Sequence, residues 1–533
     1  MLFAPVLLAA SLHTIRVDAA ADRHPISSEI YGSSFATDGK SPGVGGTLYR
    51  WGGNATTRYN WQANASNRAT DWYFESLSEE GAAPSAGIDN FIAMARYQGA
   101  EPMITIPTIG WVAKLGPGRE RLASFSVKKY GPQQATDPFW PDAGNGVRPD
   151  GTRITDNDPN DANMQVDSEF QLGWIRHLAE KGVRYVVLDN EPSFWQETHR
   201  DVHPNGATMD EVAAKDIAAA QQVKSVDPSI QVAAPEEWGW PAYFFSGYDQ
   251  QWGAAHDWFE FPDRDAHDGM DYLPWLLDQF RRASEERGKR LLDIFTVHYY
   301  PQGGEVSDDV SPEMQLRRNR STRSLWDPNY HDDTWIDFNV QLIPRLREWV
   351  NQYYPGTRIG ITEYNWGGES HMNGATTQAD LLGIFGREGL DLATRWISAP
   401  SGSPTLSAFW MYRNYDGRGH GFGDLSVAAG APNPDDLAAF AAIRTSDGKL
   451  TVMIVNKVLA GTSTASVSLA NFVAAPQAEV WQLNATRRIA HLADLAVSGS
   501  SLSLDVPAQS ITLLVIAPST ATQPRLRAVR GAR

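Results

Sequence analysis

Tyr185-Val186-Val187-Leu188-Asp189-Asn190-Glu191-Pro192 decides the fold. An apolar run without polar alternation reads as a strand buried on both faces, and such strands belong to parallel sheets whose crossovers are helices. The flanks agree, because residues 170–181 before it and 209–226 after it have helical period. Thr208, with Glu211 three residues on, makes a capping box at the second helix. Working outward, short β-branched or aromatic runs recur at 29–33, 48–52, 103–107, 231–234, 294–298, 358–362 and 406–411. Amphipathic segments at 88–98, 272–287, 336–353 and 378–397 separate most of them. Eight strands alternating with helices predict an α/β fold closed as a (β/α)8, TIM-like barrel.

After residue 434 the texture changes to short alternating runs at 450–456, 465–469, 478–483, 502–506 and 511–516. Ser446-Asp447-Gly448 is a turn signal between two of them. This predicts a second, smaller antiparallel β-sandwich. Leu12-His13-Thr14-Ile15-Arg16-Val17-Asp18 alternates in the same way and is expected to join it. The resulting division is a leader at 1–11, an N-terminal sandwich strand within 12–28, a barrel at 29–434, a sandwich at 435–518 and a disordered tail at 519–533. Residues 1–10 are apolar but too short to span a bilayer, and read as a clipped secretion signal or a plain leader. The tail carries four arginines between 525 and 533.

The chain has 533 residues, 20% of them charged, with a formal net charge of −17. Neither nucleic acid nor an anionic membrane suits that balance, since both need basic patches. Cysteine is absent, which removes disulfides, thiolate zinc sites and cysteine nucleophiles. Aromatic residues are abundant, at 19 Trp, 18 Tyr and 20 Phe, as suits a cleft that stacks on the flat faces of sugar rings.

Two predicted strands, the fourth and the seventh, end in a glutamate: Glu191 in the opening stretch, and Glu363 in Ile359-Gly360-Ile361-Thr362-Glu363-Tyr364-Asn365-Trp366. Barrel chemistry sits at the strands' C-terminal ends, and a carboxylate directly after a buried strand is open to pKa tuning. Three strands apart, the two can face each other across the mouth. Such a pair across a sugar-binding cleft is the equipment for hydrolysing a glycosidic bond. No HExxH or GxSxG occurs, so a zinc protease and an α/β-hydrolase lack support.

Longer motifs carry a resemblance. They are Tyr49-Arg50-Trp51-Gly52-Gly53-Asn54 continuing to Trp61, LDNEPSFWQETH at 188–199, VHYYPQ at 297–302, RNRSTRSLWDPNY at 318–330 and ITEYNWGG at 361–368. The chain resembles glycoside hydrolase family 44, the endo-β-1,4-glucanases and xyloglucanases, from about residue 14 to 518. The resemblance implies a barrel plus β-sandwich, hydrolysis with retention, Glu191 as acid/base and Glu363 as nucleophile. It also implies that Asn190 bonds the sugar 2-hydroxyl.

Retention predicts carboxyl groups only about 5–5.5 Å apart. Burial and the charge of Glu363 should raise the pKa of Glu191. Tyr299 is expected to hold the Glu363 carboxylate. His298 is expected to orient Glu363 or touch substrate, or to be a hydrogen-bonded structural residue. Trp61, Trp111, Trp326, Trp366 and Trp410 are candidates for stacking on glucose units, with Asn54 as a further contact; packing of loops onto the barrel is the alternative for each. Asp156, Asp158 and Asp161 lie in an oxygen-rich loop, TDNDPNDA at 155–162. Asp158 and Asp161 are candidate ligands of a structural calcium ion.

The expected protein is thus a retaining endo-glucanase acting on xyloglucan and other soluble β-1,4-glucans, secreted and monomeric. Its partner is the polysaccharide; neither nucleic acid nor membrane is expected, and no cofactor for catalysis. Mannan or xylan as substrate, and a carbohydrate-binding protein without turnover, are the alternatives.

Overall fold

The computed structural model describes residues 11–35 and 45–519. The apolar leader at 1–10 and the arginines at 525–533 lie outside the described residues. Eight strands close a barrel in chain order: Gly32–Ser34, Leu48–Trp51, Glu101–Ile106, Tyr185–Leu188, Gln231–Glu237, Ile294–Tyr299, Arg358–Tyr364 and Leu392–Arg395. Every neighbouring pair is parallel, and the eighth closes onto the first through Thr394 opposite Gly32. Leu48, Met103, Tyr185, Val187, Ala233, Ile294 and Leu392 pack as one buried cluster of strand residues. Gly32 is obligatory in this layer: a Cβ there would stand 2.5 Å from the Ala393 carbonyl oxygen.

Helices Ala86–Tyr97, Ser168–Glu180, Met209–Val226, Tyr272–Arg287, Leu342–Tyr353 and Met372–Arg387 form the crossovers after strands two to seven. Thr208 caps the third of these by accepting from the Glu211 amide at 3.2 Å. The Glu211 side chain turns instead to His203 and Lys215, so the capping box is only half made.

The eighth strand is where the sequence reading fails. The aromatic run at 406–411 lies in a helix, Pro404–Arg413, capped by Ser403, whose hydroxyl accepts from the Leu406 amide at 3.1 Å. The strand itself, Leu392–Arg395, falls inside the segment expected to be the end of a helix. That helix stops at Arg387 because the chain turns at Gly389, whose φ of +64° belongs to glycine.

The second unit is an eleven-stranded mixed sheet curled on itself. It departs from a purely antiparallel sandwich because Ser11–Asp18 runs parallel to Thr462–Ala470 along its whole length. On its other side Ser11–Asp18 pairs antiparallel with Leu425–Gly430. The sheet therefore begins about ten residues before the expected boundary. Ser446-Asp447-Gly448 does turn a hairpin, between Leu437–Arg444 and Lys449–Asn456. One face of the sheet has its own core around Ile15, Val17, Val452 and Leu514. The other face, through Phe440, Met453, Val455 and Leu513, joins the core of the barrel.

Candidate active site

The mouth of the barrel gathers side chains from strands two, four, five, six and seven. Glu191 follows the fourth strand directly, in left-handed backbone at φ +49°; Asp189 at φ +56° and Glu236 at φ +62° share that conformation. Such conformations cost energy in residues other than glycine and cluster where function over-determines them. The first turn is pinned by Asp189, whose buried carboxylate accepts from the Thr57 hydroxyl at 2.6 Å and the Ile109 amide at 3.0 Å.

Glu191 and Glu363 face each other as the strand count predicts. One oxygen of each, together with a ring nitrogen of His298, lies within 4.8 Å of the others. Their side chains are 15% and 7% exposed, so both carboxylates look out from an otherwise dry floor. Arg50, fully buried on the second strand, donates from Nη1 to Glu363 Oε1 at 2.7 Å and from Nη2 to Asn190 Oδ1 at 2.8 Å. The glycines after it are required by its bulk and by the opposite wall. A Cβ on Gly52 would lie 2.2 Å from the Arg50 guanidinium carbon, and one on Gly53 would lie 2.6 Å from the Trp396 ring.

His298 Nδ1 stands 2.8 Å from Glu191 Oε1 and 3.6 Å from Glu363 Oε2, and Nε2 stands 3.3 Å from Glu236 Oε2. Burial works against the imidazolium, but Glu363, Glu191 and Glu236 push its pKa up to about 9. Burial and the charge of Glu363 raise the Glu191 carboxyl above its ordinary range, against the pull of His298 and Arg50. The two directions agree: the Glu191–His298 pair retains a proton through neutral pH.

The hydroxyl that holds Glu363 belongs to Tyr300, which donates to Oε2 at 2.7 Å. Tyr299, the expected donor, is buried in the barrel core, its ring centroid 5.9 Å from that of Trp366. Side chains alternate along a strand, so with His298 at the mouth the next residue turns away and the one after returns. Asn190 also accepts from the Gly53 amide at 3.2 Å and donates to Asn54 Oδ1 at 3.3 Å, which places Asn54 at the rim.

Most of the tryptophan candidates sit elsewhere. Trp61 stacks near Trp174 and His177 and donates to the Phe170 carbonyl at 3.2 Å. Trp366 is 3% exposed and donates to Ser321 Oγ at 3.0 Å, so it offers no open face. Trp326 lies under the Arg387 guanidinium, 4.1 Å from its ring centroid, at the junction with the sheet. Trp410 is on the last barrel helix, beside a hollow shared with Trp481 and Arg487. Trp111 is half-buried at the start of a short strand paired with Asn163–Gln165.

The aromatic surface near the site is a groove of about 760 Å³ lined by Phe194, Trp238, Trp240, Phe244, Trp258 and Trp335 among others. The Phe194 amide bonds the Glu191 carbonyl at 2.9 Å. Trp335 donates to Gln302 Oε1 at 3.2 Å, and Gln302 donates to the Tyr300 carbonyl at 2.8 Å. The groove's walls are thereby tied to both carboxylates.

The calcium candidates do not converge. Asp161 binds the Lys129 ammonium at 2.6 Å and the Tyr130 hydroxyl, so a cation already fills that place. Asp158 caps a short helix by accepting from the Asn160 amide at 2.9 Å. Among the described residues only Glu191, His298 and Glu363 form a group of three donors. There the Arg50 guanidinium already supplies the positive charge.

The family model for glycoside hydrolase family 44 matches residues 65–303. A solved structure of CelM2, a bifunctional glucanase-xylanase from a metagenome library, is 58% identical with a TM-score of 0.94, covering 96% of this chain and 100% of that one. A Paenibacillus polymyxa xyloglucanase of family 44, solved with xyloglucan, is 28% identical with a TM-score of 0.77, covering 96% and 100%. Endoglucanase A of Paenibacillus lautus is 31% identical over 490 residues, 85% of this chain and 65% of that protein. The chain spans 34% and 65% of the lengths of the two curated relatives it matches. With a family model across the third to sixth barrel strands and full-length likeness beyond it, the chain belongs to glycoside hydrolase family 44.

Proposed function

We propose that this chain is a retaining endo-β-1,4-glucanase acting on xyloglucan and other soluble β-1,4-glucans. The observation that carries the reading is the separation of the carboxylates, within 4.8 Å between one oxygen of each. An inverting pair needs about 6.5–9.5 Å to admit a water molecule.

Glu191 protonates the glycosidic oxygen while Glu363 attacks the anomeric carbon. The bond to the leaving oxygen breaks as the bond to Glu363 forms. Arg50 and Tyr300 hold the two Glu363 oxygens, so one lone pair is aimed at the sugar. Once Glu363 is esterified its charge is gone, and with it go one support for the proton on Glu191 and the largest charge that favours a protonated His298. Glu191, now anionic, takes a proton from water. That water attacks the anomeric carbon, releases Glu363 and restores the starting state. No metal or cofactor enters. Polymers of this size do not cross membranes, so the place of action in this reading is outside the cell.

Likeness to a bifunctional glucanase-xylanase makes xylan the second substrate to try. The test is reducing-sugar release from xyloglucan, carboxymethylcellulose, xylan and mannan by the wild type, Glu191→Gln and Glu363→Gln. Release from the two glucans is expected, with a loss of about 10²–10⁴-fold on removing the acid. Near wild-type activity in either variant overturns that residue's role, and binding without release favours a non-catalytic protein. With azide and an activated aryl glycoside, Glu191→Ala should give β-azide product and Glu363→Ala α-azide. The reverse pattern swaps the roles.

A further inference from the structure

Glu236 is a third carboxylate at the mouth, and the two-glutamate reaction does not use it. It is the penultimate residue of the fifth barrel strand, is fully buried, and cannot reach a sugar from beneath the pair. Its Oε2 lies 2.9 Å from Arg50 Nη2 and 3.3 Å from His298 Nε2. Those two nitrogens are themselves only 3.4 Å apart. A guanidinium and an imidazolium at that distance repel in a dry site unless an anion stands between them. Glu236 is that anion. The groups around it are Arg50 on strand two, Glu191 after strand four, His298 and Thr296 on strand six, and Glu363 on strand seven. On its own strand, Glu237 is turned toward Ser193 and the Tyr272 hydroxyl. The Glu236 backbone is bound in as well, since its carbonyl accepts from the Glu191 amide at 3.1 Å.

We propose that Glu236 is a positioning residue for this reaction: its buried carboxylate bridges Arg50 and His298 and, through them, fixes the aim of Glu363 and the proton on Glu191. The proposal rests on the roles given above to Glu191 and Glu363. With Glu236 neutral, Arg50 turns wholly to Glu363 and Asn190, and His298 keeps one fewer anion. The competent state needs a proton on Glu191, to be given to the leaving oxygen, and a charged His298 beside it. Removing a neighbouring negative charge weakens proton binding on both groups, so the basic limb of the pH profile moves to lower pH. A residue that merely filled space would lower activity and leave that limb in place.

The test is the pH dependence of kcat and kcat/KM on an activated aryl cello-oligoside and on xyloglucan, for wild type, Glu236→Gln and Glu236→Asp. Glu236→Gln should lower kcat roughly 10–100-fold, with little change in KM, as for loss of a charge-assisted bond. The basic limb of its profile should move by about one pH unit toward acid. Glu236→Asp keeps the charge, so its profile should stay at the wild-type position even where kcat falls. An unmoved basic limb in Glu236→Gln overturns the proposal. If that variant does not fold, ¹⁵N NMR of histidine in the wild type decides: His298 should be doubly protonated at pH 7, and a neutral ring overturns it. Glu191→Gln and Glu363→Gln run alongside. Activity retained there sinks the functional reading, whereas Glu236 can fail while both are inactive.

Discussion

Tyr300 reaches Glu363 from just beyond the sixth strand, and its hydroxyl is the second of the two donors on that carboxylate. Tyr300→Phe should lower kcat/KM on an aryl cello-oligoside roughly 10–100-fold, the usual worth of a hydrogen bond to a charged group. Tyr299→Phe should leave kcat/KM near wild type; the reverse pattern would show the assignment to be one residue out. In the sequence, each proposed catalytic glutamate announces itself by following an apolar run. Arg50 and Glu236 do not. Arg50 lies within the first quoted motif, but nothing in one sequence says that a buried guanidinium is bound by carboxylates three and five strands away along the chain. Glu236 was hidden by Pro235. A residue without an N–H reads as the end of a strand, yet strand five continues through Glu237, with a register shift between Pro235 and Glu237.

At the scale of elements, the count of eight strands was legible because strands two to seven read as apolar or aromatic runs between amphipathic helices. The first, expected at 29–33, is Gly32–Ser34, with Ile30 and Tyr31 in the turn before it. The eighth, Leu392–Arg395, has four residues and no β-branched run, and the aromatic segment that follows it looks more like a strand. Glycine 389 and Ser403-Pro404 were the available signals, one closing a helix and the other opening the next. Misplacing that strand hid Trp396, which follows it and stands over Gly53. It also put the expected stacking platforms in the wrong places. The open aromatic faces come from loops after strands four to six, where Trp258 and Trp335 are 46% and 57% exposed. Phe194 ties this groove to Glu191, the proposed donor to the leaving oxygen, so it belongs to the leaving-group side. Trp258→Ala and Trp335→Ala should each raise KM for xyloglucan roughly three- to tenfold, the scale of one aromatic contact. Hydrolysis of an aryl oligoside with no sugar beyond the cleaved bond should be unchanged. Equal losses on both substrates would place the groove on the other side.

At the scale of the molecule, the curled sheet is the outer wall of the barrel's own core. Gly383 on the helix after strand seven has no side chain because the Phe440 ring of the sheet lies where one would go, 2.2 Å from a Cβ. Beside that contact Lys457 of the sheet meets Asp380 of the same helix at 2.8 Å, with side chains 1% and 3% exposed. Lys457 also donates to the Asn319 carbonyl at 3.1 Å, and Asn319 Nδ2 donates back to the Lys457 carbonyl at 2.8 Å. This junction accounts for an Asn-x-Ser sequence at 319 that no glycan can reach, since Asn319 is 1% exposed. A shared core of this kind should make barrel and sheet unfold together, in one calorimetric transition. Lys457→Met strands the Asp380 charge in that core and should lower stability by about 3–5 kcal/mol. It should move the single transition to lower temperature without splitting it. Adding Asp380→Leu removes the stranded charge and should recover most of the loss, because two apolar side chains serve a dry junction as well as an ion pair does. A sheet that melted separately in the wild type would show that the two cores are continuous in space but not in cooperativity. A double variant no more stable than Lys457→Met would show instead that the pair's geometry, with its bonds to Asn319, holds the junction.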